Sequence, residues 1–180
     1  GTDFENTPHN IGYATVDRLV ESFSLTWTKS PSLWGAQTLI NDRPVVIFKM
    51  LVAINYSGAT LKIISEHLSF SAKQIVLVYD DLSLPLGTFK TRASGGAGGH
   101  RGVASVLEAF QSDISRSVKI GVNTNETSIR NSEYVVTPFR PELASEVDQA
   151  ITKAAAYLVE LITLFPYTTL FRQIGRASCR

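Results

Sequence analysis

Gln74-Ile75-Val76-Leu77-Val78-Tyr79, followed at once by Asp80-Asp81, is the stretch on which the reading of the fold turns. Its apolar run is nearly continuous, as expected of a central strand covered on both faces. The two acids then fall at the strand's carboxyl end, where open α/β sheets bind ligands. Working upstream, Ser57-Gly58 precedes a helix with Leu61, Ile64 and Leu68 on its buried face. Before it, Trp34–Ile40 and Val45–Phe48 are β-rich runs separated by Asn41-Asp42-Arg43-Pro44, a turn signal that makes them a hairpin. Nearer the start, Thr7-Pro8 supplies an N-cap and a first helical residue. Val16, Leu19, Val20 and Phe23 follow at the spacing of an amphipathic helix. Downstream come a short strand near Thr88–Arg92, the glycine-rich loop Ser94–Gly99, a helix over Arg101–Gln111 and a strand over Ser117–Val122. After the polar loop Asn123–Asn131, the helix Pro141–Ile162 carries Val147, Ile151, Ala154 and Leu158 on one face. Strands and helices that alternate in this way predict one three-layer α/β domain.

Composition agrees with that architecture and narrows the function. The 180 residues are 44% hydrophobic and 18% charged, enough apolar mass for a core in a single domain. Apolar runs such as Ile75–Tyr79 and Val45–Phe48 fall far short of the ~20 residues of a membrane span. A single cysteine, Cys179, excludes a disulfide framework, and no secretory signal pattern is present. Both point to a reducing, cytoplasm-like compartment. The formal charge of +1 is unevenly spread: residues 1–89 carry six Lys/Arg against eight Asp/Glu, and residues 90–140 carry seven against four. The basic half suits a polyanionic ligand without implying a general nucleic-acid coat. Pro166–Arg180 loses the pattern of the preceding helix and adds three arginines without an acid. It reads as a non-native tail, which sets the domain at residues 1–165.

Several chemistries fail on spacing. Gly95-Gly96-Ala97-Gly98-Gly99-His100-Arg101-Gly102 has Arg101 where a dinucleotide fingerprint needs glycine, and no P-loop Gly-Lys-Ser/Thr occurs. Two readings of the loop stay open: backbone donors for an anion at the next helix, or a connection without a ligand. Ser57 lacks the Gly-x-Ser-x-Gly elbow of a serine hydrolase. His9, His67 and His100 have no short ligand spacing to one another or to carboxylates, so metal hydrolysis has little support. What remains is His9 beside Asn10, the turn at Asn55, and Asp80 after its strand. Taken singly, each residue type caps helices and turns as readily as it works chemically.

In combination they do more. Phe4-Glu5-Asn6-Thr7-Pro8-His9-Asn10-Ile11-Gly12, Asn55-Tyr56-Ser57-Gly58, Asp80-Asp81-Leu82-Ser83-Leu84-Pro85-Leu86-Gly87, Gly98-Gly99-His100-Arg101-Gly102 and Tyr134-Val135-Val136-Thr137-Pro138-Phe139 occur in this order. Over about residues 1–160 the chain resembles the bacterial-type peptidyl-tRNA hydrolases. The resemblance implies a mixed, mostly parallel sheet, with the family's first strand and its Gly-Leu-Gly-Asn-Pro segment absent here. It implies hydrolysis of the ester between a peptide and the terminal ribose of tRNA, with no metal or organic cofactor. Under it, His9 matches the catalytic base, Asp80 the acid that orients it, and Asn55 the amide that meets the oxyanion. The substrate-binding set would be Phe4, which corresponds to a tyrosine of the family, together with Ala53, Asn55, Arg92 and Arg101. Lys90, Arg92 and Arg101 around the glycine loop suit RNA phosphates. Ala53 and Ile54 replace an aromatic residue and a methionine, and Arg101 replaces an asparagine. The implied protein is a monomer with a tRNA partner and no membrane, in the bacterial cytoplasm or an organelle. A non-catalytic RNA-binding factor on the same fold is the alternative.

Overall fold

The computed structural model describes residues 5–93, 95–111, 114–124 and 131–164. Six strands lie among them: β1 (Thr28–Lys29), β2 (Leu33–Ile40), β3 (Arg43–Met50), β4 (Val76–Pro85), β5 (Phe89–Arg92) and β6 (Arg116–Asn123). The α-helices are α1 (Ile11–Ser22), α2 (Ser57–Leu68), α3 (Arg101–Ala109), the single turn α4 (Asn131–Tyr134) and α5 (Ala144–Leu164). Short 3-10 turns at Pro8–Asn10, Ile54–Tyr56 and Pro141–Leu143 lead into α1, α2 and α5. Phe4, residues 125–130 of the polar loop and the tail 166–180 lie outside the described residues.

β6 occupies the middle of one sheet, ordered β4-β6-β5, and its Val118, Ile120 and Val122 have no exposed surface. These residues and Val76 and Val78 pack under α1 and α5 through Ile11, Val16, Leu19, Ala154, Leu158 and Leu161. On the opposite face Ile75, Leu77 and Tyr79 pack under α2 and α3 through Leu61, Val103, Val106 and Leu107. The alternation along β4 is what a strand buried on both sides requires, and the three-layer α/β arrangement follows from it.

Pairing corrects one expectation. β4 and β6 are parallel, with α3 in the crossover between them, but β5–β6, β1–β2 and β2–β3 are antiparallel. Among the described residues the pairing is therefore mixed and mostly antiparallel. The cause is local: β2 and β3 join through Asn41 and Asp42, whose φ angles of 51° and 59° suit a two-residue hairpin turn. Arg43 and Pro44, expected in the turn, belong to β3. β1, β2 and β3 form a sheet of their own, and the edge strands β3 and β4, each with one described neighbour in its sheet, border one apolar cavity. Consecutive residues from each strand (Val46, Ile47, Phe48; Val76, Leu77, Val78) line it. The opening strand that the resemblance implies has no counterpart among the described residues.

A second correction concerns Asp80. β4 continues to Pro85, so Asp80 lies within the strand rather than at its end. The regular ladder does stop there: pairing with β6 runs to Asp81↔Gly121 and shifts register before Pro85↔Asn123. Gly121 permits the shift, since an added Cβ would lie 2.0 Å from the Pro85 carbonyl oxygen. The bulge re-aims the side chains that follow it.

Candidate active site

Two elements converge on Asp80 in β4. His9 stands on the 3-10 turn before α1, and its backbone N–H donates to Val135 O at 2.8 Å. A second backbone bond, Phe139 N–H to Asn6 O at 2.8 Å, ties the same entering segment to the stretch after α4. The turn is pressed onto β4 because Gly12 has no side chain: an added Cβ would lie 2.7 Å from Val78 O. His100 comes from the other side, as the N-cap of α3. Gly98 and Gly99 precede it with φ of 58° and 86°, a left-handed approach that favours glycine. Whatever else the loop does, its glycines aim His100.

The geometry is a shared carboxylate. His9 Nδ1 lies 3.0 Å and His100 Nε2 3.2 Å from the same atom, Asp80 Oδ1. The imidazole rings lie 5.0 Å apart, and the edge of Tyr79 closes on His100 at 5.2 Å between centroids. Asp80 is 7% exposed, and burial alone would raise its pKa. Hydrogen bonds from His100 and then His9 outweigh that and bring it down to about 2. Asp80 is therefore an acceptor, so both histidines donate to it: His9 through Nδ1–H, His100 through Nε2–H. The second assignment has independent support, because Val103 N–H donates to His100 Nδ1 at 3.2 Å. Among the described residues no hydrogen bond to His9 Nε2 is found, and the side chain is 25% exposed. An imidazole with a lone pair there and a fixed tautomer is equipped to take a proton from water.

Two cavities meet at this cluster. One, of ≈ 390 Å³, is largely apolar, with Met50, Val52, Ala53, Ile54 and Val106 in its walls. The other, of ≈ 790 Å³, opens over the glycine loop past Arg101, Lys119 and Asp81. Lys119 Nζ pairs with Asp81 Oδ2 at 3.1 Å. Burial opposes ionisation of Asp81, but hydrogen bonds from Ser83 and Lys119 hold its carboxyl below the ordinary value. The adjacent acids thus serve opposite sides, Asp80 the histidines and Asp81 the lysine.

The other sequence-derived residues are placed unevenly. Ala53 lines the apolar cavity and Arg101 the polar one. Asn55 is exposed on the turn Ile54–Tyr56, beside Ile54, which lines both cavities; Asn55 itself lines neither. Its backbone oxygen accepts from Ser105 Oγ at 2.8 Å, which ties the turn to α3. Arg92 is exposed at the end of β5, outside both linings. His100 was the omission. A test for short ligand spacing passes over two histidines 91 positions apart, and the signal that could have found it was its place directly after Gly98-Gly99.

The sequence matches the peptidyl-tRNA hydrolase family over residues 1–174. The chain belongs to that family. The peptidyl-tRNA hydrolase of Aquifex aeolicus (strain VF5) is 32% identical over 167 residues, which covers 92% of this chain and 87% of the relative. That of Fervidobacterium nodosum is 32% identical over 163 residues, covering 89% and 84%. The crystal structure of peptidyl-tRNA hydrolase from Acinetobacter baumannii matches with a TM-score of 0.81 over 90% of this chain and 83% of the other. At 22% identity that likeness establishes the fold. The architecture is α/β, as the alternation of elements predicts, around mixed strand pairing. No described helix is long and apolar enough to cross a membrane.

Proposed function

We infer that this member of the peptidyl-tRNA hydrolase family cleaves the ester between a peptide and the terminal ribose of tRNA, with His9 as general base. The observation that carries the assignment is His9 Nδ1 held 3.0 Å from buried Asp80 Oδ1, in a side chain that lines both cavities. Water on Nε2 loses its proton to the imidazole as its oxygen attacks the ester carbonyl carbon. Asp80 holds the ring and stabilises the imidazolium, which then protonates the departing ribose oxygen. Asn55, on the rim, meets the oxyanion through its side-chain NH2 once substrate brings the turn inward. The apolar cavity past Ala53 receives the peptide end. Arg101 and Lys119 in the polar cavity, and Arg92 beyond it, face the tRNA backbone. Phe4 takes the terminal nucleotide or ribose by stacking, worth about 1–3 kcal/mol. The protein acts as a monomer without a cofactor, where translation occurs, in the bacterial cytoplasm or an organelle.

The test is release of tRNA from an N-blocked aminoacyl-tRNA by the parent chain and by His9→Ala. Loss of a positioned general base costs about 10²–10⁴-fold in rate. A His9→Ala variant that keeps near-parental turnover removes His9 from the mechanism.

A further inference from the structure

The cluster that holds the base also has the donor set of a metal site. One ligand atom each from His9, Asp80 and His100 lies within 4.8 Å of the other two. Two imidazoles and a carboxylate with an open side suit zinc, whereas magnesium prefers oxygen donors. Zinc binds nitrogen and carboxylate oxygen at about 2.0–2.1 Å in a tetrahedron, which places neighbouring ligand atoms about 3.3 Å apart. The two imidazole nitrogens lie 3.0 Å and 3.2 Å from Asp80 Oδ1. Both contacts are within a few tenths of an ångström of that spacing, and the two nitrogens, within 4.8 Å of each other, would close in on the ion. The shared carboxylate oxygen already sits where a zinc ligand belongs, with protons in place of the ion.

We propose that His9, Asp80 and His100 bind one zinc ion, with the fourth position open to solvent, and that zinc there switches hydrolysis off. The binding stands on the geometry alone; the switch rests on the function inferred above. The switch follows from proton bookkeeping on His9. Zinc occupies Nδ1, so the proton leaves that nitrogen and a neutral imidazole carries its one proton on Nε2. The lone pair that would accept the proton of water is consumed, with no net proton released by the ring. His100 must also move its proton from Nε2 to Nδ1, where it meets Val103 N–H. Two donors then face each other and the cap contact at the start of α3 opens. Zinc held elsewhere on the surface would leave that cap alone.

Binding is read first, without substrate, by competition of zinc chloride against a chromophoric chelator. The full chain is used with Cys179→Ser, which removes its one thiol. The expected result is one zinc per chain, weakened at least ten-fold in both His9→Gln and His100→Gln and unchanged in His67→Ala, an exposed control. Both Gln variants are checked by thermal melt, and faster hydrogen exchange at the Val103 amide on zinc addition provides a readout in the unaltered site. Zinc binding that survives both Gln variants, that is lost with His67→Ala, or that leaves Val103 exchange unchanged overturns the site. Hydrolysis at saturating zinc is expected to fall at least ten-fold and to recover on chelation. A retained or increased rate overturns the switch. A chain that binds zinc in this pattern but never hydrolyses peptidyl-tRNA refutes the function and the switch and keeps the site. An active hydrolase without this binding does the reverse.

Discussion

Gly58→Ala tests how the scaffold sets the cavity. Gly58 lies in the first turn of α2, and a Cβ added there would fall 1.9 Å from Ser105 O and 2.5 Å from Ser105 C. Real Cβ contacts essentially never fall under 3.0 Å, so α2 and α3 must part by about 1.1 Å. Gly58 N–H donates to Ser105 Oγ at 2.9 Å, and that bond is lost at the new spacing. Overpacking costs about 1–3 kcal/mol and the hydrogen bond about 1 more. Alanine recovers only about 0.5–1 kcal/mol of helix propensity. A net loss of about 1–3.5 kcal/mol lowers Tm by roughly 2–14 °C in a chain of this size. Function suffers independently, because Asn55 lies on the turn that leads into α2 and His100 caps α3. A misplacement of about 1 Å costs on the order of 100-fold in rate. Melting by circular dichroism and hydrolysis of an N-blocked aminoacyl-tRNA measure the two effects. Gly96→Ala is the control, since nothing lies within 4 Å of its added Cβ. A Gly58→Ala protein that melts within 2 °C of the parent and turns over within two-fold refutes the reasoning.

Three further outcomes are expected. Asp80 has its folded pKa lowered from 3.8 to about 2, so it contributes stability that is present above pH 3.8 and lost as pH falls through 2. At 1.36 kcal/mol per pKa unit the contribution is about 2 kcal/mol, and denaturant midpoints at pH 5, 3 and 2 will show a shallower acid limb in Asp80→Asn. Asp17→Ala leaves the ammonium of Lys49, 8% exposed between Trp27 and Trp34, without its carboxylate. It should therefore destabilise more than Arg18→Ala, which removes an exposed pair with Asp148 worth about 0–1 kcal/mol; urea denaturation ranks the two. Arg101→Ala should weaken tRNA binding and reduce the slope of log K against log salt by about 0.7–0.9, as loss of one phosphate contact requires, read by a salt titration of the affinity.

The elements legible in the sequence were those set by local rules. The run Ile75–Tyr79, the spacing of Val16, Leu19 and Val20, and the turn residues Asn41-Asp42 each specify their structure within a few positions, and the strands and helices formed there. Strand direction was not legible, because it depends on which distant edge a strand meets; β6 entering between β4 and β5 is decided by tertiary packing. The extension of β4 to Pro85 escaped because Asp80-Asp81 breaks the apolar pattern while Gly121, far along the chain, accommodates the bulge. At the site, the pairing of His9 with Asp80 is legible through resemblance to a family and not from spacing. His100 completes the cluster only because α3 delivers it from the opposite side, and the exposure of Asn55 follows from a turn whose position is set by Ser105.

The rate of peptidyl-tRNA ester cleavage by Asp80→Asn tests the central claim most directly. The asparagine keeps the shape but offers an NH2 donor and no charge, so His9 loses both its fixed tautomer and the stabilisation of its imidazolium. The account predicts a fall of about 10²–10⁴-fold in kcat with KM within a few-fold of the parent. An Asp80→Asn enzyme that turns over within a few-fold of the parent would contradict it.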